Sequence, residues 1–134
     1  MAFQCIVLTP EQQVLNQSVT QAIVPAHDGL VGILTGRAPI IISLNPGPLR
    51  VDLADGKSQF FFIDGGLAQM KDNHLSILTQ HAIPASEIDA AGAQREFDEA
   101  MRLPGTDPAS LDRKQKAVEA ARAKLGVVLK MTGG

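Results

Sequence analysis

Residues 49–63 read Leu49-Arg50-Val51-Asp52-Leu53-Ala54-Asp55-Gly56-Lys57-Ser58-Gln59-Phe60-Phe61-Phe62-Ile63. Two runs rich in β-branched and aromatic side chains, 49–53 and 58–63, flank Asp55-Gly56, residue types that tolerate positive φ at both central positions of a tight turn. The segment predicts a β-hairpin. Working outward, residues 3–8, 19–24, 30–34, 39–44, 67–70 and 75–80 have the same short, strand-like character, with Asn45-Pro46-Gly47-Pro48 and Asp64-Gly65-Gly66 as punctuation. Strands at such regular spacing predict an antiparallel β-sandwich, or flattened barrel, over residues 1–84. A segment of that length buries one core without staples.

Composition changes after residue 84. Phe3, Phe60, Phe61 and Phe62 precede that point and only Phe97 follows it, while seven alanines lie before it and ten after. Residues 85–134 therefore form a second unit, predicted as an antiparallel helical hairpin, so the fold class is β + α. Ala90, Ala93, Phe97 and Ala100/Met101 recur at helical spacing, with Ser86 as the expected N-cap and Glu87 and Asp89 at the positive end of the helix dipole. Leu103-Pro104-Gly105-Thr106-Asp107-Pro108 ends this helix. A second runs from about Ala109 to Met131, with Leu111, Val118, Ala121, Leu125 and Val128/Leu129 on one side. A connection this short makes the two helices antiparallel neighbours.

The hairpin's charges sort by helix. The first helix carries Glu87, Asp89, Glu96, Asp98 and Glu99 against Arg95 and Arg102, and the second carries Arg113, Lys114, Lys116, Arg122, Lys124 and Lys130 against Asp112 and Glu119. Opposite charges hold such a hairpin closed; a basic helix, once released, seeks an acidic partner. An alanine-rich interface buries little area per residue, and Gly92 and Gly126 each cost a helix about 1 kcal/mol relative to Ala, so the closure is weak.

Several function classes are excluded. The chain has 134 residues, 45% hydrophobic and 19% charged, with a formal net charge of −2, and it lacks the basic balance of a nucleic-acid module. Its single cysteine, Cys5, cannot build a disulfide framework and reads as a small buried residue. The apolar run Ala38 to Ile42 is five residues, far short of the roughly 20 that span a bilayer. The strand-like N-terminus predicts no secretory leader. His27, His74 and His81 are scattered without metal-ligand spacing, and Gly29-x-x-Gly32-x-x-x-Gly36 lacks the Lys-Ser/Thr and following helix of a phosphate loop. No Gly-x-Ser-x-Gly elbow occurs. The residues predict no active site, metal or cofactor.

The block Val24-Pro25-Ala26-His27-Asp28-Gly29-Leu30-Val31-Gly32-Ile33-Leu34-Thr35-Gly36-Arg37-Ala38-Pro39-Ile40 resembles the signature of the epsilon subunit of F-type ATP synthases, a Gly-x-x-Gly-Ile/Leu-x-x-Gly-His-Ala-Pro pattern. Thr9-Pro10-Glu11, Leu44-Asn45-Pro46-Gly47-Pro48-Leu49-Arg50, Ile63-Asp64-Gly65-Gly66-Leu67 and Leu75-Ser76-Ile77-Leu78 resemble that family in the same order, from about residue 3 to 130. The resemblance implies a non-catalytic rotor subunit of the central stalk. Its sandwich would bind the gamma subunit and the membrane c-ring, coupling ion translocation to ATP synthesis. Its hairpin would open to bring the basic helix against the catalytic alpha and beta subunits and block ATP hydrolysis. The implied location is peripheral, on the cytoplasmic face of the bacterial inner membrane, with membrane contact only through the complex. Leu30, Gly36, Arg37 and Ala38 correspond to the c-ring surface, and Arg113, Lys114, Lys116, Arg122 and Lys124 are the candidates for inhibitory contact.

Two departures from the family pattern matter. Arg37 replaces the usual His, which fixes a positive charge there. Some relatives bind regulatory ATP through Ile/Leu-Asp-x-x-Arg-Ala, whereas here Ile88, Asp89 and Ala93 match and Gly92 stands in place of the arginine that would pair with phosphate. The competing readings are an epsilon subunit that couples without inhibiting and a small-ligand-binding β-sandwich.

Overall fold

The structure, a computed structural model, describes residues 2–36 and 38–132. Strands β1 (Phe3–Leu8), β2 (Gln13–Ala26), β3 (Gly29–Leu34), β4 (Ile40–Leu53), β5 (Ser58–Lys71), β6 (His74–Leu78) and β7 (Ala82–Pro84) precede a 3-10 turn at Ala85–Glu87 and helices α1 (Ala90–Met101) and α2 (Pro108–Thr132). The strands form the expected flattened barrel. Its order β1-β6-β5-β4-β2 closes because β1 also pairs with β2, while β3 and β7 hang on the outer edges of β2 and β5. Every pairing is antiparallel except β1 with β6, which run parallel, Cys5 opposite Leu75 and Val7 opposite Ile77.

Strands β4 and β5 are the main difference from the sequence expectation. Each is one 14-residue strand where two short ones were predicted, and the pair keeps a single register from Ile40↔Met70 to Asp52↔Ser58. Asn45-Pro46-Gly47-Pro48 is therefore not a turn. The ladder between β2 and β4 breaks between Ile23↔Arg50 and Ala26↔Leu44, so Pro46 and Pro48 fall where β4 leaves β2 and their missing N–H groups cost no pairing. Gly47 lies against Pro25, whose Cβ would be 2.8 Å from any Cβ added at position 47. Asp64-Gly65-Gly66 is likewise a bend within β5, with φ of 75° at Gly65 and 115° at Gly66.

Two turns also differ in kind. At Asp55-Gly56 only Gly56 has positive φ, 93°, and Leu53 N donates to Lys57 O at 2.7 Å, the pattern of a three-residue loop ending in a glycine. The two-residue turn with both central φ positive is Asp72-Asn73, at 51° and 63°, joining Lys71 to His74.

The triple phenylalanine joins the two halves of the molecule. Side chains alternate along a strand, so Phe61 and Ile63 point into the barrel with Cys5, Val7, Val19, Val24, Leu49 and Ile77. Phe62 faces outward and forms a second cluster with Ala85 and Val127 of α2, flanked by Phe60, Ile83, Ile88, Ala120 and Ala123. Helix α2 thus packs on the outer face of β4 and of the first half of β5, while Leu67, Gln69 and Lys71 further along β5 stay exposed.

The helices begin elsewhere than expected. Asp89, not Ser86, caps α1: its Oδ2 accepts from Gly92 N at 3.0 Å, leaving Glu87 in the preceding 3-10 turn. A Cβ at position 92 would stand 3.0 Å from that oxygen, a close approach that the glycine relieves. Helix α2 starts with a reciprocal box in which Ser110 N donates to Asp107 Oδ1 at 2.7 Å and Asp107 N donates to Ser110 Oγ at 3.2 Å. Between the helices Ala93, Ala100 and Ala121 are buried, whereas Ala90 is exposed and Leu111 is 43% exposed. Val127 is the fully buried residue near the end of α2; Val128 and Leu129 lie beyond the residues whose side chains are described.

Candidate functional site

Two surfaces gather the residues singled out by sequence. The first runs along β3, from Leu30 beside the β2–β3 turn to Gly36 and Ala38 in the loop past its opposite end. Leu30 is 54% exposed and Leu34, on the same face of β3, 56%; Gly36 and Ala38 are exposed in the following loop. Gly36 takes φ of 77° with open space around its Cα, so the glycine serves backbone geometry and not close packing. Arg37 lies outside the described residues. The loop is anchored from an unexpected quarter. Asn73 Oδ1, in the β5–β6 turn, accepts from Thr35 Oγ1 and from Gly36 N, both at 3.2 Å. A polar dipeptide between two strand-like runs was the visible signal for that turn; its reach to Thr35 was not.

The second surface is the helical hairpin. Its charges are sorted, but among the described residues one ion pair joins the helices: Lys124 Nζ donates to Glu96 Oε2 at 2.9 Å. Lys124 also lies 5.5 Å from the Phe62 ring centre, so one ammonium ties α2 to α1 and to the barrel. Arg122 stacks 5.9 Å from the Phe97 ring centre. Lys116 pairs within its own helix with Asp112 at 3.2 Å, and Arg95 stands 3.9 Å from Asp89 in α1. Arg113 is exposed, and Lys114 is half-buried at the edge of an open groove of about 600 Å³ floored by Met101, Leu111 and Val118.

Beneath the hairpin a cleft of about 480 Å³ separates it from β5, with Ala100, Ala117, Ala120 and Ala121 on the helix side and Phe62, Asp64 and His81 on the barrel side. His81 Nδ1 lies 3.5 Å from Asp64 Oδ2. The small alanines leave this space unfilled and keep the helix contact shallow.

The residues matching the ATP-binding pattern of some relatives, and the cysteine and histidines, are placed as follows. Ile88 packs on the Phe62 cluster, Asp89 is the α1 cap and Ala93 is buried between the helices. Cys5 is fully buried in β1, and burial pushes its thiol up to about 12. His27 is exposed in the β2–β3 turn, and the His74 ring meets Asp72 O at 2.8 Å. Among the described residues no three His, Cys, Asp or Glu side chains converge as metal ligands.

The molecule is a closed β-barrel with exposed leucines along β3 and an appended helical hairpin. Residues 2–85 match the family ATP synthase, Delta/Epsilon chain, beta-sandwich domain. The chain is 36% identical over 125 residues to the ATP synthase epsilon chain of Rhodopirellula baltica, covering 93% of this chain and 97% of that one. It is 32% identical over 122 residues to the ATP synthase epsilon chain of Chromohalobacter salexigens, covering 91% and 86%. The chain belongs to the ATP synthase epsilon chain family. Its fold matches a chain in the Euglena gracilis mitochondrial ATP synthase OSCP/F1/c-ring structure with TM-score 0.82 and 24% identity, covering 97% of this chain and 80% of that one. A chain of the Tetrahymena thermophila mitochondrial ATP synthase central stalk/c-ring structure matches with TM-score 0.73 and 17% identity, covering 93% and 95%.

Proposed function

We propose that this chain is a non-catalytic rotor subunit of an ATP synthase central stalk, whose barrel (1–84) couples ion flow to ATP synthesis and whose hairpin (85–134) restrains ATP hydrolysis. The observation that carries the regulatory half is that one inter-helix ion pair occurs among the described residues, Lys124 with Glu96, over an alanine-lined cleft. The barrel closes on its own core, so the hairpin is free to leave without unfolding it; what holds it is the Phe62–Val127 cluster and a partly exposed ion pair of roughly 1 kcal/mol or less.

Opening frees Lys124 from Glu96 and Arg122 from Phe97 and presents them, with Arg113, Lys114 and Lys116 of the same helix, to acidic segments of the catalytic alpha and beta subunits. The groove floored by Met101, Leu111 and Val118 and edged by Lys114 and Arg122 suits an amphipathic acidic segment. Exposed Leu30 with Gly36, Arg37 and Ala38 faces the c-ring, and the barrel also binds the gamma subunit. The complex places the chain peripherally, on the cytoplasmic face of the bacterial inner membrane. Ile88, Asp89 and Ala93 serve as helix start and interface, so calorimetry with ATP and Mg²⁺ is expected to find millimolar binding or none; tighter binding would restore nucleotide sensing.

The test is a disulfide lock. In a Cys5→Ala background, Ala100→Cys with Ala121→Cys joins α1 to α2 across the cleft they both line. Oxidation of the assembled complex is expected to raise ATP hydrolysis and reduction to restore the lower rate. Unchanged hydrolysis on locking leaves a coupling-only subunit.

A further inference from the structure

We propose that Asn73 is the positioning residue of the c-ring-facing loop, holding Thr35-Gly36 in place through its side-chain carbonyl; this rests on the reading above that the β3–β4 loop meets the ring. Thr35 and Gly36 follow the end of β3 at Leu34, and β4 begins at Ile40, so among the described residues no sheet ladder holds Thr35 and Gly36. Their described side-chain tether comes from a turn 37 residues away in sequence.

The chemistry at position 73 is narrowly specified. Asp72 and Asn73 adopt φ of 51° and 63°, the left-handed region that Gly, Asn and Asp enter at low cost. Glycine would make the turn but offers nothing to the loop. Asparagine supplies an acceptor and a donor from one planar group: Oδ1 takes protons from Thr35 Oγ1 and Gly36 N at 3.2 Å each, and Nδ2 donates to Ala2 O at 3.3 Å. Its backbone carbonyl accepts from Gln4 N, also at 3.3 Å. One residue thereby joins the start of β1, the β5–β6 turn and the candidate contact loop. Gly36, at φ 77° and with no packed neighbours, has the conformational freedom that such a tether removes.

Asn73→Gly keeps the turn and deletes the tether, whereas Asn73→Asp keeps the turn and the acceptor but replaces the donor to Ala2 with a charged carboxylate oxygen. A thermal melt of each isolated chain establishes that it folds. Amide exchange at Gly36 in the isolated chain is expected to rise roughly tenfold in Asn73→Gly, the loss of about one hydrogen bond, and to stay near the parent rate in Asn73→Asp. Each chain is then returned to an ATP synthase complex stripped of this subunit, and ions pumped per ATP hydrolysed are measured in vesicles. Coupling is expected to fall severalfold for Asn73→Gly and to be retained for Asn73→Asp. Gly36 exchange in Asn73→Gly equal to the parent overturns the tether, and equal coupling of the Gly and parent chains overturns its role at the ring. Failure of the parent chain to restore coupling would instead remove the rotor assignment, while the exchange measurement still decides the tether.

Discussion

Lys124 Nζ donates to Glu96 Oε2 at 2.9 Å, and through this contact a cation counted among the candidate inhibitory residues is held inside the closed hairpin. Closure and inhibition therefore compete for the same ammonium. Glu96→Gln removes the closing partner and leaves the cation, so it is expected to shift the hairpin toward the open form two- to fivefold, the worth of a partly exposed ion pair. In the assembled complex it should lower ATP hydrolysis. Lys124→Glu removes the cation itself and should raise hydrolysis. Movement of both variants in the same direction would separate Lys124 from inhibition.

Adjacent phenylalanines in β5 serve different cores, because Phe61 points into the barrel and Phe62 toward α2. Phe61→Ala is expected to lower global stability by about 3–5 kcal/mol, read as loss of the whole unfolding transition toward lower temperature. Phe62→Ala should leave the barrel transition nearly in place and expose the segment after Pro84 to limited proteolysis. Equal loss of barrel stability in both variants would contradict the two-core arrangement.

Gly66 and Gly36 both have positive φ, yet substitution should cost very different amounts. A Cβ at Gly66, whose φ is 115°, would overlap the Leu78 carbonyl of β6, whereas one at Gly36 meets nothing within 4 Å. Gly66→Ala is expected to destabilise the chain by more than about 3 kcal/mol and Gly36→Ala by about 1 kcal/mol, compared by denaturant midpoint.

The Cys5 thiol gives an alkaline signature. Burial raises its pKa from 9.0 to about 12, so the folded state keeps the proton while the unfolded chain releases it. Stability from this group is complete below pH 9 and falls by about 1.4 kcal/mol per pH unit as pH rises from there toward 12. Cys5→Ala should flatten that alkaline loss in denaturant titrations, and a thiol reagent at pH 8 should label Cys5 only as fast as the barrel opens.

Asp107 gives the acid counterpart. The Ser110 backbone N–H, donating to its carboxylate at 2.7 Å, holds its pKa below the ordinary 3.8. The cap is complete above that ordinary value and is lost as pH falls through the folded pKa, so protection of the Ser110 amide, relative to its intrinsic exchange rate, should fall below pH 3.8. Asp107→Asn retains a capping oxygen and should remove the pH dependence.

The division into a β-rich unit and an alanine-rich hairpin was legible because strands, turns and helices are each specified by neighbouring residues. Phenylalanine placement, alanine counts and apolar period are local quantities, and so are the 49–63 hairpin and the order acidic helix, basic helix. The family pattern around Gly29–Ile40 was legible for the same reason. Where local rules were read too literally, the neighbouring strand overruled them: Pro46 and Pro48 stay within β4 because β2 departs there, and Gly65-Gly66 bends β5 instead of ending it. The hairpin's charges were legible as a sorted set, but their pairing was not. Only the packing of α2 against α1 and β5 selects Lys124 and Glu96 from the acids and bases available.

The amino-acid sequence by itself determined what kinds of segment this protein has, in what order, and which of them carry charge, because hydrogen-bonding propensity and side-chain period act over a few residues. The tertiary structure alone decided that β1 closes the barrel by pairing in parallel with β6, that Phe62 receives the helix while Phe61 fills the barrel, and that Asn73 reaches Thr35 and Gly36. Each of these joins residues far apart in the chain, and such contacts exist only once the whole sheet has set its register.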